Sequence, residues 1–243
     1  GGALAPVHVG VIGALLEAGI PIDMVVGTSA GAIGAVTASR ISSLQSWLRA
    51  KQLAEHIGWE KIRTAARVKE GGLWSLNLLA DFIDNNLEKV GDGGKALPTI
   101  LTVVDIGQFP KKKLRLQWSP IEGTTLGQMV AASCSVPLWM TPTRLGDYRL
   151  WDGGSISLGN EPVVVAKTVA PEALVISVSL SRSRAKWRAV FPQPEVRIEP
   201  CLKKRNQMGA MTRFDKSDVE LGYMESQGLV KEIEKKLADR GID

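Results

Sequence analysis

The chain has 243 residues, of which 44% are hydrophobic and 23% charged, an ordinary composition for a globular protein large enough to bury a sizeable core. Two cysteines are too few for a disulfide framework, no Cys/His cluster has zinc spacing, and the uncharged stretch of residues 24–39 is shorter than the ~20 apolar residues of a membrane span. The net charge of +5 favours an anionic partner, either a membrane surface or a nucleic acid.

The hydrophobic pattern predicts strands that alternate with helices along most of the chain. Helices are predicted over residues 6–18, 30–38, 44–57, 60–68, 76–90, 126–132, 163–169 and 219–238. Strands are predicted over residues 23–26, 99–105, 114–118, 148–151 and 173–178. This alternation predicts an α/β fold with a mainly parallel central sheet and helices on both faces, in three layers.

We expect one domain over residues 1–243. Its last part, residues 181–243, is predicted to be a basic surface excursion followed by the terminal helix. The chain opens at Gly1-Gly2 with no initiator Met and no strand before these glycines. We therefore expect a trimmed N-terminus, and the presence of a targeting signal before Gly1 is an open question.

A G-x-S-x-G motif stands between a predicted strand and a predicted helix. It reads Gly27-Thr28-Ser29-Ala30-Gly31. A serine on so sharp a turn exposes its hydroxyl. Side chains at Gly27 or Gly31 are expected to collide with the neighbouring strand and helix. The N-terminus of the following helix is suited to stabilise a developing oxyanion. The motif alone supports a nucleophile about as well as a glycine-rich turn in which Ser29 only caps the helix.

The histidines restrict the chemistry open to Ser29. A serine hydroxyl needs a base to take its proton, usually a histidine that follows an acid late in the chain. The only histidines here are His8 and His56, and none follows residue 56. The usual order of a serine–acid–histidine triad is therefore excluded. Either Ser29 is not a nucleophile, or its base is an acidic residue.

Asp152 is the candidate base, because it ends a predicted strand and is followed by Gly153 and Gly154, which leave its carboxylate little covered. Taken alone, an Asp before two glycines is more often a turn former. Asp23 and Asp105 are rivals at strand ends. Asp23 precedes the strand of the G-x-S-x-G motif and is disfavoured, because it falls at the opposite end of the sheet from Ser29.

Several separated segments match the motifs of one protein family, in the same order along the chain. The glycine loop and first helix match over residues 1–11, and the nucleophile turn matches over residues 20–32. Asp152-Gly153-Gly154, with Asn160 and Pro162, matches the D-G-G…N-x-P segment. Residues 72–74 and 131–137 are similar to the intervening G-L-F and A-S-x-x-x-P stretches. Together these segments resemble the patatin-like phospholipase family, in its bacterial type related to the neuropathy-target-esterase catalytic domain, and the resemblance covers residues 1 to about 180.

The resemblance implies a serine esterase that cleaves fatty-acyl esters of phospholipids or lysophospholipids through an acyl-enzyme intermediate. The implied catalytic dyad is Ser29 and Asp152, which agrees with the missing late histidine. The implied oxyanion hole comes from backbone N–H groups at Gly1, Gly2 and Ala3. No metal or cofactor is implied.

Two residues depart from the family pattern. Leu4 stands where the family usually has a basic residue, and Ala5 stands where it usually has a glycine that gives the oxyanion loop room. A second hypothesis is therefore a catalytically weak or silent member that binds lipid or a partner. A nucleotide-binding domain and a nucleic-acid partner are disfavoured, because neither phosphate-loop motifs nor aromatic-basic motifs occur.

Clusters of basic residues bear on the cellular location of the protein and on the surface to which it binds. They comprise Lys111–Lys113, the residues Arg182, Arg184, Lys186 and Arg188 around Trp187, and Lys203-Lys204-Arg205. Each cluster taken alone is more simply a solvated loop. Together they predict a cytoplasmic protein bound peripherally to anionic membranes. The preferred lipid, the position cleaved, the acyl acceptor, any regulator and the oligomeric state stay open.

Overall fold

The computed structural model describes residues 2–66, 70–107, 115–119, 121–156, 161–180, 192–201 and 214–242. Its helices are α1 (Ala5–Glu17), α2 (Ala30–Ala38), α3 (Leu44–Glu55), α4 (Trp59–Ile62), α5 (Asn77–Val90), α6 (Leu126–Ser133), α7 (Val163–Val169), α8 (Ser217–Gln227) and α9 (Val230–Ala238). Its strands are β1 (Val25–Gly27), β2 (Thr64–Ala65), β3 (Gly72–Ser75), β4 (Thr99–Asp105), β5 (Arg115–Trp118), β6 (Leu138–Met140), β7 (Thr143–Leu145), β8 (Tyr148–Asp152), β9 (Ile176–Val178) and β10 (Val196–Ile198).

The central sheet has the order β1-β4-β8-β7, with β5 also paired to β4. Strand β4 lies in its middle because its run of apolar and β-branched residues is buried from Leu101 to Val104. Strand β1 is parallel to β4, whereas β5 and β8 are antiparallel to it. The predicted α/β class is confirmed, and the sheet that forms it is mixed. Two smaller sheets, β2-β3-β6 and β9-β10, each contain a parallel pair.

Helices cover the sheet through two main clusters of buried side chains. One cluster joins α2, α5 and α6 to the inner strands β4 and β8. The other joins α1 and α9 to β10, with Val7 and Val11 among its fully buried members. Burial of each apolar helix face against a neighbouring layer is what stabilises such an arrangement.

Helices α1 and α8 cross with their backbones in contact. A Cβ added to Gly10 would lie 1.9 Å from the carbonyl oxygen of Val219, and one added to Gly222 would lie 2.0 Å from that of Val7. Only glycine fits at such a crossing, since a real Cβ atom does not approach a carbonyl oxygen so closely. The crossing fixes α1, whose N-terminal end leads from the predicted oxyanion loop.

The structure corrects two of the predicted helices. The helix predicted over residues 60–68 ends at Ile62. It ends there because Arg63 stacks on Trp74 at 3.9 Å and the next two residues pair with β3 as strand β2. Residues 67 and 68 of that prediction lie outside the described residues. The helix predicted over 219–238 is two helices, α8 and α9, separated at Gly228 and Leu229. Strands β3, β6, β7 and β10 are short, and their residues carry no clear alternation.

Candidate active site

Ser29 has a strained backbone at the turn between β1 and α2. Its φ is 56° and its ψ is −125°, values that a residue with a side chain rarely adopts. The Ser29 N–H donates to the hydroxyl oxygen of Ser133 at 2.9 Å, and that hydroxyl donates to the carbonyl of Thr102 at 2.7 Å. These bonds tie the strained residue to α6 and β4, so the turn holds its conformation. The arrangement is the strand–turn–helix context expected for an exposed nucleophilic serine.

The glycines around Ser29 and Asp152 differ in how tightly they are packed. A Cβ on Gly27 would lie 2.3 Å from the carbonyl oxygen of Gly31, and one on Gly153 would lie 2.5 Å from the hydroxyl oxygen of Thr102. Both positions therefore require glycine. The prediction that a side chain at Gly31 would collide is wrong, because the nearest atom to a Cβ there is 3.8 Å away, at ordinary contact distance.

Strand register brings Asp152 to Ser29. Gly27 of β1 pairs with Leu101 of β4, and Val103, two residues further along β4, pairs with Asp152 of β8. Since Ser29 lies two residues beyond Gly27, this register places the serine and the aspartate at the same level along β4. The Ser29 hydroxyl is hydrogen-bonded to the Asp152 carboxylate. Two predicted site residues 123 positions apart thus meet.

The Asp152 carboxylate is buried and only 5% of the residue is exposed. Burial raises the pKa of Asp152, because desolvation penalises the charged form. Hydrogen bonds from the Ser29 hydroxyl and from the N–H of Gly154, the latter at 2.7 Å, act in the opposite direction and stabilise the anion. A carboxylate whose pKa is moved upward is a stronger base, which suits proton abstraction from a hydroxyl.

The neighbouring Cys134 thiol is not an alternative nucleophile. Burial raises the pKa of Cys134 strongly, and the nearby charge of Asp152 raises it further. The thiol therefore stays protonated at neutral pH and lacks the thiolate character on which cysteine reactivity depends. Cys134 lies one residue beyond α6 and near Asp152, and the proposed reaction does not use it.

The histidines and the rival aspartates make other contacts. His8 bonds through Nδ1 to the carbonyl of Ala5 at 3.2 Å, and burial lowers its pKa to about 4, so it is neutral. His56 bonds to a carbonyl of its own helix, α3, at the exposed C-terminal end. Asp105 accepts the N–H of Gly107 at 2.8 Å, in an exposed turn. Asp23 precedes β1, at the opposite end of the strand from Ser29.

The predicted oxyanion loop lies at the N-terminus of α1. Gly2 to Leu4 form one turn of 3-10 helix that contacts α2, and Gly2 has a φ of 52°. Ala3 is fully buried, whereas Gly1 lies outside the described residues. Leu4 is 2% exposed and packs in the cluster of α1, α9 and β10, so apolar burial anchors this segment where the family usually has a basic residue. Donation to an oxyanion by these N–H groups stays a prediction.

Ser133 is a functional residue that sequence reasoning missed. It occurs in the A-S-x-x-x-P stretch, which signalled the family without giving a role to this hydroxyl. The structure shows that it is fully buried and accepts the N–H of the strained Ser29. Ser133 therefore positions the backbone of Ser29, the candidate nucleophile.

We expect Ser133→Ala to lower kcat for ester hydrolysis about 10- to 100-fold with little change in KM. The substitution leaves the buried N–H of Ser29 without its acceptor, which costs about 1–3 kcal/mol and lets the turn relax. Ser135→Ala is the matched control: its hydroxyl bonds to the Ala131 carbonyl and to Thr143, not to Ser29. Steady-state kinetics on a soluble ester checks this, and an equal loss of kcat in both variants would contradict the assignment.

Comparison with known proteins agrees with this geometry. The family model of the patatin-like phospholipases matches residues 1–167. The chain therefore belongs to the patatin-like phospholipase family, and the resemblance seen in the sequence is confirmed.

Two sets of curated relatives carry NTE names. An uncharacterized NTE family protein of Mycobacterium tuberculosis is 29% identical over 191 residues, which cover 76% of this chain and 48% of the relative. Lysophospholipase nte1 of Aspergillus fumigatus is 49% identical over 59 residues, 24% of this chain and 4% of that protein; its counterpart in Emericella nidulans is 51% identical over the same length. The chain thus spans about half the length of the mycobacterial relative.

Among the described residues, no helix is both long enough and apolar enough to cross a membrane. Nor do those residues contain a group of three or more His, Cys, Asp or Glu side chains placed to hold a metal ion.

Proposed function

We propose that this protein is a serine lipid acyl hydrolase that cleaves fatty-acyl ester bonds through a dyad of Ser29 and Asp152. The observation that carries the proposal is the hydrogen bond from the hydroxyl of a strained, turn-held serine to a buried carboxylate. Family membership supplies the substrate class, since the family is named for phospholipases. The cleaved bond is the acyl ester of a phospholipid or a lysophospholipid.

The geometry supports the following reaction. As the Ser29 hydroxyl attacks the ester carbonyl, its proton passes to the Asp152 carboxylate to which it is already bonded. The oxyanion is stabilised by the backbone N–H groups of Gly1, Gly2 and Ala3 and by the N-terminal end of α2. The tetrahedral intermediate collapses, the C–O bond to the alcohol breaks, and Asp152 returns the proton to the leaving oxygen. Water then attacks the acyl-enzyme with Asp152 as base, releasing the fatty acid and restoring Ser29.

The name of the fungal relatives favours a lysophospholipid as one substrate. Those proteins are named lysophospholipases, and the stretch in which they are similar to this chain is 59 residues long. The decisive experiment uses a fluorophosphonate probe and three esters: a short-chain nitrophenyl ester, a lysophospholipid and a diacyl phospholipid. We expect covalent labelling at Ser29 and release of free fatty acid from at least one lipid. Absence of labelling and of turnover on all three esters would overturn the proposal.

The second candidate is a catalytically weak or silent family member that binds lipid or a partner. Ala5 favours it, since a residue with a side chain stands where the family usually has glycine beside the oxyanion loop, and Ala5 is only 3% exposed. Losing one oxyanion donor in other enzymes lowers the rate by about 10²–10³-fold. Labelling of Ser29 together with turnover far slower than in a variant Ala5→Gly would support this candidate.

We also propose peripheral association with anionic membranes in the cytoplasm. The basic clusters that motivate it, Lys111–Lys113, residues 182–188 and Lys203-Lys204-Arg205, lie outside the described residues. Each basic side chain near an anionic surface contributes about 1 kcal/mol, and salt screens the attraction. Vesicle binding that is indifferent to salt would refute this electrostatic contribution.

A further inference from the structure

Thr102 of β4 lies between the points at which the two strands of the candidate dyad pair with this strand. It follows Leu101, the partner of Gly27 in β1. It precedes Val103, the partner of Asp152 in β8. The Thr102 side chain is fully buried in a strand whose adjacent residues are apolar. A buried hydroxyl costs stability unless it is hydrogen-bonded, so the partner of this hydroxyl indicates what the side chain does.

The Thr102 hydroxyl is hydrogen-bonded to the hydroxyl of Thr28, the residue that immediately precedes Ser29. The two Oγ1 atoms are 2.5 Å apart, and Thr28 is 8% exposed. The two threonines belong to different elements, since Thr28 lies in the turn after β1 and Thr102 lies in the central strand. The bond therefore fixes the turn to β4 on the N-terminal side of the candidate nucleophile.

The main chain of Thr102 restrains the same turn from a second direction. Its carbonyl accepts the hydroxyl of Ser133 at 2.7 Å, and the Ser133 hydroxyl accepts the N–H of Ser29. A strained conformation such as the φ of 56° at Ser29 persists only where the surrounding structure over-determines it. These two restraints on the turn both end at Thr102, one at its side chain and one at its carbonyl.

The chain that follows the candidate base packs against the same threonine. A Cβ added to Gly153 would lie 2.5 Å from Oγ1 of Thr102 and 2.6 Å from its carbonyl oxygen. Gly153 comes directly after Asp152, just as Thr28 comes directly before Ser29. The position of the Thr102 side chain therefore affects both halves of the dyad, and with them the separation of the two reacting groups.

We propose that the hydroxyls of Thr28 and Thr102 form a positioning pair, which holds the Ser29 hydroxyl at hydrogen-bonding distance from the Asp152 carboxylate. This inference rests on the proposed hydrolase function, because it assigns the pair to the proton transfer of that reaction. The pair acts through Ser29 and Asp152 and transfers no proton itself. Such a role has a measurable consequence, since a displacement of about 1 Å at a reacting group can lower a rate about 100-fold.

Valine substitutions test the pair, because valine replaces the hydroxyl with a methyl group and keeps the branched shape at Cβ. We expect Thr102→Val and Thr28→Val each to lower kcat for a nitrophenyl ester about 10- to 100-fold, with KM nearly unchanged. Thr102→Ser retains a hydroxyl and should have a kcat much closer to that of wild type. The double valine variant should be no slower than the slower single variant, since both substitutions break the same bond.

The matched control is Thr37→Val in α2, the helix that follows Ser29. Thr37 is 7% exposed, and its hydroxyl donates to the Ile33 carbonyl of its own helix at 2.8 Å. This variant should have the kcat of wild type. Thermal unfolding identifies the folded variants, and Thr28→Val tests the pair by itself if Thr102→Val does not fold.

Four results would overturn the positioning pair. They are wild-type kcat in the folded valine variants, an equal loss in Thr37→Val, an equal loss in Thr102→Ser, and a loss in the double variant equal to the product of the single losses. The hydrolase function itself fails in a different way. Wild-type protein that neither reacts with a fluorophosphonate nor hydrolyses the ester refutes both proposals, whereas active wild type with equally active valine variants refutes only the pair.

Discussion

Ser29→Ala and Asp152→Asn are each expected to lower kcat/KM for ester hydrolysis by on the order of 10⁴-fold, with the fold intact. Members of a catalytic unit that share one proton are lost together, so either substitution removes nearly the whole chemical advantage. Neither change disturbs packing, since Asn retains an oxygen that can accept the N–H of Gly154. Kinetics on a nitrophenyl ester and fluorophosphonate labelling measure the effect, and thermal unfolding reports the fold.

His8→Gln and His56→Gln serve as controls for this result. The dyad leaves the histidines no proton to carry, and both bond to backbone carbonyls of their own helices. Both variants should therefore label at Ser29 as wild type does. Wild-type turnover in folded Asp152→Asn protein would contradict the assignment of Asp152 as the base. Loss of labelling in folded His8→Gln protein would indicate that a histidine acts as the base instead.

The second large effect concerns pH. Activity should fall about tenfold per pH unit on the acid side, with a midpoint above the ordinary carboxyl value of about 4, because Asp152 must be ionised and burial raises its pKa. A rate profile of kcat/KM against pH measures this. A midpoint at or below the ordinary value would show that the hydrogen bonds to the carboxylate outweigh its desolvation.

The raised pKa of Asp152 makes the folded protein less stable as pH rises, although activity increases over the same range. A carboxyl whose pKa is raised in the folded state binds its proton more tightly there than in the unfolded chain. Its stabilising contribution is complete below the unfolded pKa and is lost as pH rises through the folded pKa. Above that range Asp152→Asn should be more stable than wild type, and the difference should vanish at acid pH. Denaturant unfolding of both proteins across this range gives the sign.

The predictions that succeeded rest on local chemistry. The helix Val163–Val169 agrees with its predicted bounds. The helix predicted over residues 126–132 is α6, and Thr125 caps its first turn in a capping box with Gln128. The strand before Ser29 and the helix after it were likewise visible, since glycines and a change of hydrophobic period mark both boundaries. Each of these features is decided by residues close in sequence.

The features that escaped prediction depend on distant pairing. The mixed sheet could not be deduced, because strand direction follows from chain topology rather than from the composition of a strand. Asp152 became a candidate by the absence of a late histidine, yet its meeting with Ser29 depends on the registers of β1 and β8 against β4. The role of Ser133 and the positive φ of Leu138 likewise have no signal in the neighbouring residues.

The proposed nucleophile and the proposed base are both bonded to one short segment at the C-terminal end of α6. The hydroxyl of Ser133, the last residue of α6, accepts the N–H of Ser29, and the carbonyl of Ser135 accepts that of Asp152. At the opposite end of α6, Asp84 of α5 bonds to Thr125 and Gly127. A substitution that alters the packing of α5 against α6 is therefore expected to affect Ser29 and Asp152 together, although neither residue belongs to these helices.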